Sequence, residues 1–263
     1  MLLIIEALLL ILAALGQDHR AAAVEGKISL DMALDSVDDQ YKGCRDKMAE
    51  LVETKLLKND LNNLNIFKTA WGKGKEFVKT LKKNDLTRNH GVAIYVYSDA
   101  SVYKDFNNDI RHGKNQYKNE TYKWYSLYFL LTDAIQILKK TPNKCMLTYR
   151  GSKDTFVYKN QNEEILFGSF SSSSLDRKVA LRFGNKSCFE IYTCEGADVT
   201  KYSKLPREKE VLIPPYEKFK VTAVKTRRDQ KDLWCETVFE LKSSGIRSDL
   251  NCALFKKITK TKY

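Results

Sequence analysis

The sequence predicts an α+β fold in which a helical part comes first and a strand-rich part follows. Between residues 28 and 140, apolar residues recur at helical spacing among charged ones. After Pro142 the pattern changes to short runs rich in β-branched and aromatic residues, which continue to residue 258. No repeat or long linker separates the two parts, so we expect residues 17–263 to form one domain.

The helical part contains three clear amphipathic or apolar stretches. Their spacing predicts one or two helices over 30–57, a helix over 66–81 that Gly72 and Gly74 interrupt, and a strongly apolar helix over 122–139. Residues 91–98, GVAIYVYS, have the composition of a strand but also fit a turn of a buried helix.

The remaining elements are short. Residues 100–118 are polar, which predicts an irregular segment. Beyond Pro142, apolar β-rich runs bounded by polar residues predict six strands, over 146–149, 166–172, 188–194, 211–213, 219–226 and 237–241.

The N-terminus has the composition of an export signal. Residues 2–15 are almost wholly apolar but are too few to span a bilayer comfortably. Small residues follow, so we expect a signal peptide over residues 1–16, with a second possible cleavage site at 20–23; a buried N-terminal helix is the alternative. The basic C-terminus, 255–263, lacks the hydrophobic tail of a glycolipid-anchor signal. These features predict a secreted, extracellular protein with no transmembrane segment or lipid anchor.

Charge and cysteine content limit the partners and the redox state. The net charge of +12 favours anionic partners such as cell-surface polysaccharides, with a solvated basic surface as the alternative. No nucleic-acid-binding signature accompanies this charge, so we expect no specific nucleic acid. Six cysteines in an exported chain predict disulfides, although fifteen pairings are possible. None has zinc-site spacing, and we expect no metal. The sequons at Asn119 and Asn185 predict glycosylation.

A cluster of polar residues at strand ends suggests a site. In PREKEVLIPP, Glu208 and Glu210 lie two residues apart and run into an apolar strand, so an extended backbone would point both carboxylates to one side. Two like charges on one face suggest a site for something positive; a solvated strand start is the alternative. Upstream, one strand ends in Arg150 and Gly151, and a serine run occupies 171–174.

In this order, the segments resemble the secreted and surface-anchored arginine-specific mono-ADP-ribosyltransferases of vertebrates. The resemblance is carried by YRG (149–151), FGSFSSSSLDRKVALRFG (167–184), FEIYTCEGADVTKYSKLP (189–206) and EKEVLIPPYEKFKV (208–221), with fainter similarity at 106–113 and 124–138. It implies a two-sheet β core with an NAD cleft, and the pairs Cys44–Cys252 and Cys145–Cys194. Cys188 and Cys235 are then left to pair with each other.

The resemblance also implies a division of labour between the two carboxylates. Glu210 would stabilise the positive charge that develops on the NAD ribose and would contact the ribose 2′-hydroxyl. Glu208 would hold the guanidinium of an acceptor arginine. Ser172 would hydrogen-bond Glu210 and orient it.

Three further residues would bind NAD by the same resemblance. Arg150 would grip a phosphate or ribose, unless it forms a structural salt bridge instead. Gly151 would let the backbone approach the nicotinamide amide. Phe183 would stack on nicotinamide, although packing in the core is an alternative. Ser173 stands where relatives usually have Thr, and no Rossmann fingerprint occurs.

The leading prediction is therefore an arginine-specific ADP-ribosyltransferase. An NAD glycohydrolase that passes ADP-ribose to water is an alternative enzyme. A secreted basic binding protein without catalysis is an alternative of another class, against which the intact Arg150, Ser172, Glu208 and Glu210 argue.

Overall fold

The computed structural model of the chain describes residues 27–81, 86–139, 145–158 and 164–259. The predicted signal peptide and the alternative cleavage site at 20–23 lie outside these ranges. None of the helices within the described ranges is long and apolar enough to cross a membrane.

The first part of the described chain is helical, as predicted. After a short strand, β1 (Lys27–Ser29), it forms seven helices, α1 (Arg45–Leu51), α2 (Leu57–Asn63), α3 (Asn65–Lys79), α4 (Arg88–Tyr97), α5 (Ala100–Arg111), α6 (Lys114–Lys118) and α7 (Tyr125–Leu138). A π-helical turn, Val52–Leu56, joins α1 to α2. The helices predicted over 66–81 and 122–139 are confirmed.

Of the two alternatives for residues 91–98, the helical one is confirmed, since they belong largely to α4. Residues 100–118, which were predicted to be irregular, instead form α5 and α6. The signal in α5 is the spacing of Val102, Phe106 and Ile110, which lie four residues apart on one face and are buried. The rest of that helix is mostly polar, so the average composition of the segment does not reveal this apolar row.

The glycines of α3 do not interrupt it. A Cβ at Gly74 would lie 3.0 Å from Val92 Cγ1, so the missing side chain lets α3 and α4 pack closely. The helix therefore continues through Gly72 and Gly74 to Lys79. Residues 32–44, by contrast, contain no helix.

The second part of the chain is built from strands. These are β2 (Met146–Ser152), β3 (Thr155–Val157), β4 (Glu164–Ile165), β5 (Ser171–Ser174), β6 (Ser187–Thr193), β7 (Ala197–Asp198), β8 (Glu210–Ile213), β9 (Glu217–Thr226) and β10 (Thr237–Ile246). A single turn of helix, α8 (Arg177–Ala180), follows β5. Of the strand predicted over 166–172, only its end belongs to β5, because Leu166 donates its N–H to Asp31 near the N-terminus instead of extending that strand.

The strands form two sheets of very unequal size. β1 and β3 form a parallel pair, and the other eight strands form one mixed sheet in the order β4-β9-β10-β6-β2-β5-β8-β7. β2 pairs with β6 along its whole length, but β2 and β5 pair only at Tyr149 and Ser174. The sheet therefore opens between β2 and β5, and this opening positions the site described below.

Two large apolar clusters stabilise the fold. One fills the helical part around α7 and includes Phe170, whose ring stacks on Phe106 of α5. The other lies in the sheet around Phe189 and Phe239, which also stack. Phe170 directly precedes β5, so the helical cluster reaches the strand that carries the serine run.

Three disulfides tie the elements together. They join Cys44 to Cys252, Cys145 to Cys194, and Cys188 to Cys235, as the resemblance implies. Beside the first, buried Asp38 accepts hydrogen bonds from Arg247, Asp249 and Leu250 near the C-terminus. The start and the end of the described chain are thus held together.

Candidate active site

The candidate site is a cleft of about 470 Å³ at the point where β2 and β5 separate. β2 contributes Tyr149, Arg150 and Gly151 to its walls, and β5 contributes Ser172–Ser174. The helical part closes one side through residues 97–103, and the chain around 205–210 closes another. All six site residues predicted from sequence, Arg150, Gly151, Ser172, Phe183, Glu208 and Glu210, line this one cleft.

Glu210 forms the inner end of the cleft. It is the first residue of β8, lies opposite Ser174 in the β5–β8 ladder, and is only 5% exposed. Burial raises the pKa of its carboxyl group because the charged form loses hydration. Hydrogen bonding with Ser172 opposes this rise and lowers the pKa, as does the Ser203 hydroxyl, whose Oγ lies 3.4 Å from Oε2.

Glu208 lies at the mouth of the cleft, and the backbone places it there in an unexpected way. The sequence predicts an extended strand through both carboxylates, but Pro206–Glu208 is a 3₁₀ turn, and Lys209 adopts a left-handed φ of +48°. Proline suits the start of such a turn, and the left-handed residue redirects the chain into β8. The two carboxylates share the cleft because of this turn, and not because of strand periodicity.

The surroundings of Glu208 differ from those of Glu210. Glu208 is only half-buried, and burial raises the pKa of its carboxyl group while the nearby Arg182 lowers it. The Ser174 hydroxyl donates to the Glu208 carbonyl at 2.7 Å and fixes the backbone of the turn. Glu208 lines the cleft and is partly exposed, so an incoming cation can reach its carboxylate.

Arg150 bridges the opening in the sheet. Its Nη1 donates to the Ser172 carbonyl at 2.7 Å, at a point where β2 and β5 have lost their backbone pairing. No carboxylate lies within salt-bridge distance of Arg150 in the ranges that the structure describes, which removes the structural salt bridge considered above. The positive charge of Arg150 also lowers the pKa of Glu210.

Tyr97 is a cleft residue that the sequence reasoning missed. It ends α4, is buried, and donates its hydroxyl proton to the Phe170 carbonyl at 3.1 Å, while Asn107 Nδ2 donates to the same hydroxyl at 3.2 Å. Ser172 also lies within hydrogen-bonding reach of this hydroxyl. Tyr97 stands at the end of an apolar run, and a buried tyrosine hydroxyl needs a hydrogen-bond partner. This feature of the sequence could have identified Tyr97 as a candidate for a buried polar contact.

Gly151 and Phe183 have local surroundings that the sequence does not reveal. A Cβ at Gly151 would lie 2.3 Å from the Ala180 carbonyl and 2.5 Å from the Gly184 carbonyl, so the turn after α8 can approach β2 only at a glycine. Phe183 belongs to that turn, is 49% exposed, and lines the cleft rather than the core. Its ring is therefore accessible to a flat ligand.

Within the described ranges, no three His, Cys, Asp or Glu side chains are grouped so as to hold a metal ion.

Comparisons with known proteins give one consistent result. The family model described as NAD:arginine ADP-ribosyltransferase matches residues 30–240. The T-cell ecto-ADP-ribosyltransferase 2 of Mus musculus is 36% identical over 233 residues, which cover 85% of this chain and 76% of the relative. The NAD(P)(+)--arginine ADP-ribosyltransferase 2 of Gallus gallus is 33% identical over 238 residues, covering 87% and 74%.

Solved structures give the same result. The crystal structure of the eucaryotic mono-ADP-ribosyltransferase ART2.2 has 31% sequence identity and a TM-score of 0.73, and the match covers 86% of this chain and 98% of that one. Two mutants of that enzyme, one in complex with NADH and one with NAD, match with TM-scores of 0.72. The fold of this chain is thus similar to that of an enzyme that has been solved with NAD and with NADH.

Proposed function

The chain belongs to the NAD:arginine ADP-ribosyltransferase family, and we propose that it transfers ADP-ribose from NAD to arginine side chains of proteins. The observation that carries the proposal is the pairing of two unequal carboxylates in one cleft. Glu210 is buried at its inner end, and Glu208 stands half-exposed at its mouth. The buried Glu210 suits the NAD ribose, which becomes positively charged during the reaction. The half-exposed Glu208 suits the acceptor arginine, which is already positively charged when it arrives from solvent.

The first half of the reaction breaks the bond between the ribose C1′ and the nicotinamide nitrogen. The bonding electrons leave with nicotinamide, which is already cationic in NAD and needs no general acid. Positive charge develops on the ribose, as in glycoside cleavage. The Glu210 carboxylate stabilises that charge, and its burial strengthens the effect because little water screens it.

The second half forms a bond from a guanidinium nitrogen to C1′. An arginine side chain is always protonated and offers a planar set of N–H donors that suits a carboxylate. Glu208 holds this group at the mouth and accepts the proton that the nitrogen loses on attack. Its pKa, raised by burial, favours this proton transfer.

Four further residues complete the proposed site. Ser172 orients the Glu210 carboxylate, and Arg150 binds a phosphate or ribose of NAD while it holds the Ser172 carbonyl. Phe183 stacks on the nicotinamide ring. Gly151, which has no side chain, lets the β2 backbone approach the nicotinamide amide closely.

The place of action is part of the proposal. Several relatives are named ecto-ADP-ribosyltransferases, and the three disulfides fit an oxidising compartment. We propose that the chain acts outside the cell as a secreted protein. Binding to anionic polysaccharides is supported by net charge alone.

Incubation with NAD labelled in the adenosine part tests the proposed function. Two acceptor peptides of equal charge are used, one with a single arginine and one with lysine in its place. We expect label on the arginine peptide and not on the lysine peptide. Equal labelling of both peptides contradicts arginine specificity, whereas release of free ADP-ribose without any labelled peptide identifies the chain as the glycohydrolase considered above. If neither labelled peptide nor free ADP-ribose forms, even when the enzyme concentration approaches that of NAD, the result supports the non-catalytic alternative.

A further inference from the structure

Two chain segments meet around Glu208 and form the mouth of the cleft; we call residues 175–183 and 204–209 the rim. The segments are held as one surface. The Leu175 N–H donates to the Lys209 carbonyl at 3.1 Å, and Lys209 Nζ pairs with Asp176 at 3.0 Å. A protein that delivers an arginine to Glu208 therefore meets these two segments as one surface.

The rim is strongly basic. Asp176 and Glu208 are its only acids, and Lys209 neutralises the first of them. Four exposed rim cations have no carboxylate within salt-bridge distance among the described residues, although Arg182 acts on Glu208 from farther away. They are Arg177, Lys178, Arg182 and Arg207.

Apolar side chains stand between these cations. Four of them are two-fifths to half exposed, namely Leu175, Leu181, Phe183 and Leu205. Exposed apolar side chains gathered around a cleft mark a contact surface more often than isolated ones do. The rim thus offers apolar contact and positive charge together, which are features of a surface that binds an acidic protein face.

This surface creates an electrostatic problem for a cationic acceptor. Glu208 can neutralise one guanidinium, but further positive groups beside the acceptor arginine would face the unpaired cations of the rim. Acidic neighbours would face the same cations favourably. We propose that the rim selects arginines that stand next to aspartate or glutamate on the acceptor protein. The inference rests on the proposed function and narrows its substrate class.

Peptides with one arginine flanked by aspartate, asparagine or lysine test the inference. We expect kcat/KM for transfer to fall in that order, with acidic and basic contexts differing on the order of tenfold or more at low salt. The difference should shrink as ionic strength rises, because exposed charges are screened over about 10 Å at 0.1 M salt. An equal rate for all three peptides at low salt would overturn the inference.

A rim variant assigns the effect to these residues. Arg177→Gln, Lys178→Gln and Arg207→Gln are combined, and Arg182 is kept because it acts on Glu208. The matched control for this triple variant replaces three exposed lysines on helices that do not line the cleft. The control substitutions are Lys47→Gln, Lys58→Gln and Lys68→Gln. The rim variant should lose the preference for the acidic peptide, whereas the control should keep it.

Two reference activities separate this inference from the proposed function. Transfer to free arginine amide and hydrolysis of NAD at saturating NAD report an intact site, and both should stay near wild type in the rim variant. A rim variant with these activities and an unchanged peptide preference overturns the inference and leaves arginine transfer standing. If wild type labels no arginine acceptor at all, the proposed function fails and the inference fails with it.

Discussion

The inner end of the cleft and its rim are built in opposite ways. At the inner end, Glu210 begins a buried strand and lies among the Ser172 and Ser203 hydroxyls. At the rim, Glu208 ends a 3₁₀ turn, and most of its neighbours are exposed. The Glu210 carboxylate is held in place by buried neighbours, whereas the Glu208 carboxylate is accessible from solvent.

This difference matches what each half of the reaction needs. Stabilising a charge that exists only in the transition state requires a group that is already oriented and shielded from water. Holding the side chain of another protein requires access from outside. If the two ends have separate roles, substitutions at each end should have different effects on transfer and on hydrolysis.

Replacing Glu210 should have the largest effect. Glu210→Gln removes the negative charge from the inner end, and we expect both arginine transfer and NAD hydrolysis to fall on the order of a hundredfold or more. The fold should survive, because a neutral amide is easier to bury than a carboxylate. Rates are measured with labelled NAD, and thermal unfolding checks the fold. A folded variant with near-normal rates would remove Glu210 from the mechanism.

Arg150→Lys should weaken NAD use on the order of tenfold while lowering stability less. Lysine keeps the charge but lacks the fork that can hold the Ser172 carbonyl and an NAD oxygen together. The measurement is kcat/KM for NAD hydrolysis beside the melting temperature. If NAD kinetics match wild type while the melting temperature drops, Arg150 has a structural role between β2 and β5 and no role in NAD binding.

Ser172→Ala should move the pH profile in a known direction. Glu210 must be ionised to act, and hydrogen bonding with Ser172 lowers its pKa against the effect of burial. Without the hydroxyl that pKa rises, so the acid limb of kcat/KM should shift to higher pH. Ser173→Ala is the matched control, because its hydroxyl donates to the Val211 carbonyl instead. A shift to lower pH, or an equal shift in the control, would contradict the orienting role of Ser172.

Tyr97→Phe should have the smallest effect. It removes one hydroxyl that holds the Phe170 carbonyl and lies beside Ser172, which corresponds to a two- to tenfold loss, roughly the value of one hydrogen bond. If Tyr97 acts by positioning Ser172, through the hydrogen bond that joins their hydroxyls, kcat should fall while KM for NAD stays unchanged. Tyr103→Phe, on another wall residue of the cleft, is the control. An effect on KM alone would assign Tyr97 to substrate binding.

The sequence predicted the contents of the site better than its geometry. The order of arginine, serine run and paired glutamates, with the resemblance that it carries, identified six residues that do line one cleft. The prediction that strand periodicity points Glu208 and Glu210 to one side was wrong, because Lys209 between them has a left-handed φ and is not part of a strand. The neighbouring residue types give no sign of this backbone conformation.

Contacts between distant parts of the chain explain the other differences. Tyr97 packs at the site against Phe106 and Phe170, and Phe106 comes from the segment 100–118 that folds into helices. Polar residues over most of that segment concealed its buried apolar row. Likewise, the strand predicted over 166–172 was shortened by a backbone hydrogen bond to Asp31, a residue far away in sequence. Neither partner could be found from local pattern.

The partition of ADP-ribose in Glu208→Gln tests the division between the two ends most directly. Glutamine keeps the size and one acceptor oxygen, but it cannot pair with a guanidinium as an anion or take its proton. Labelled acceptor and free ADP-ribose are measured for wild type and variant at equal NAD. The division predicts that transfer is lost while much of the hydrolysis remains, so the ratio of labelled acceptor to free ADP-ribose falls steeply. An unchanged ratio would mean that Glu208 does not choose the acceptor, and the two ends would then have no separate roles.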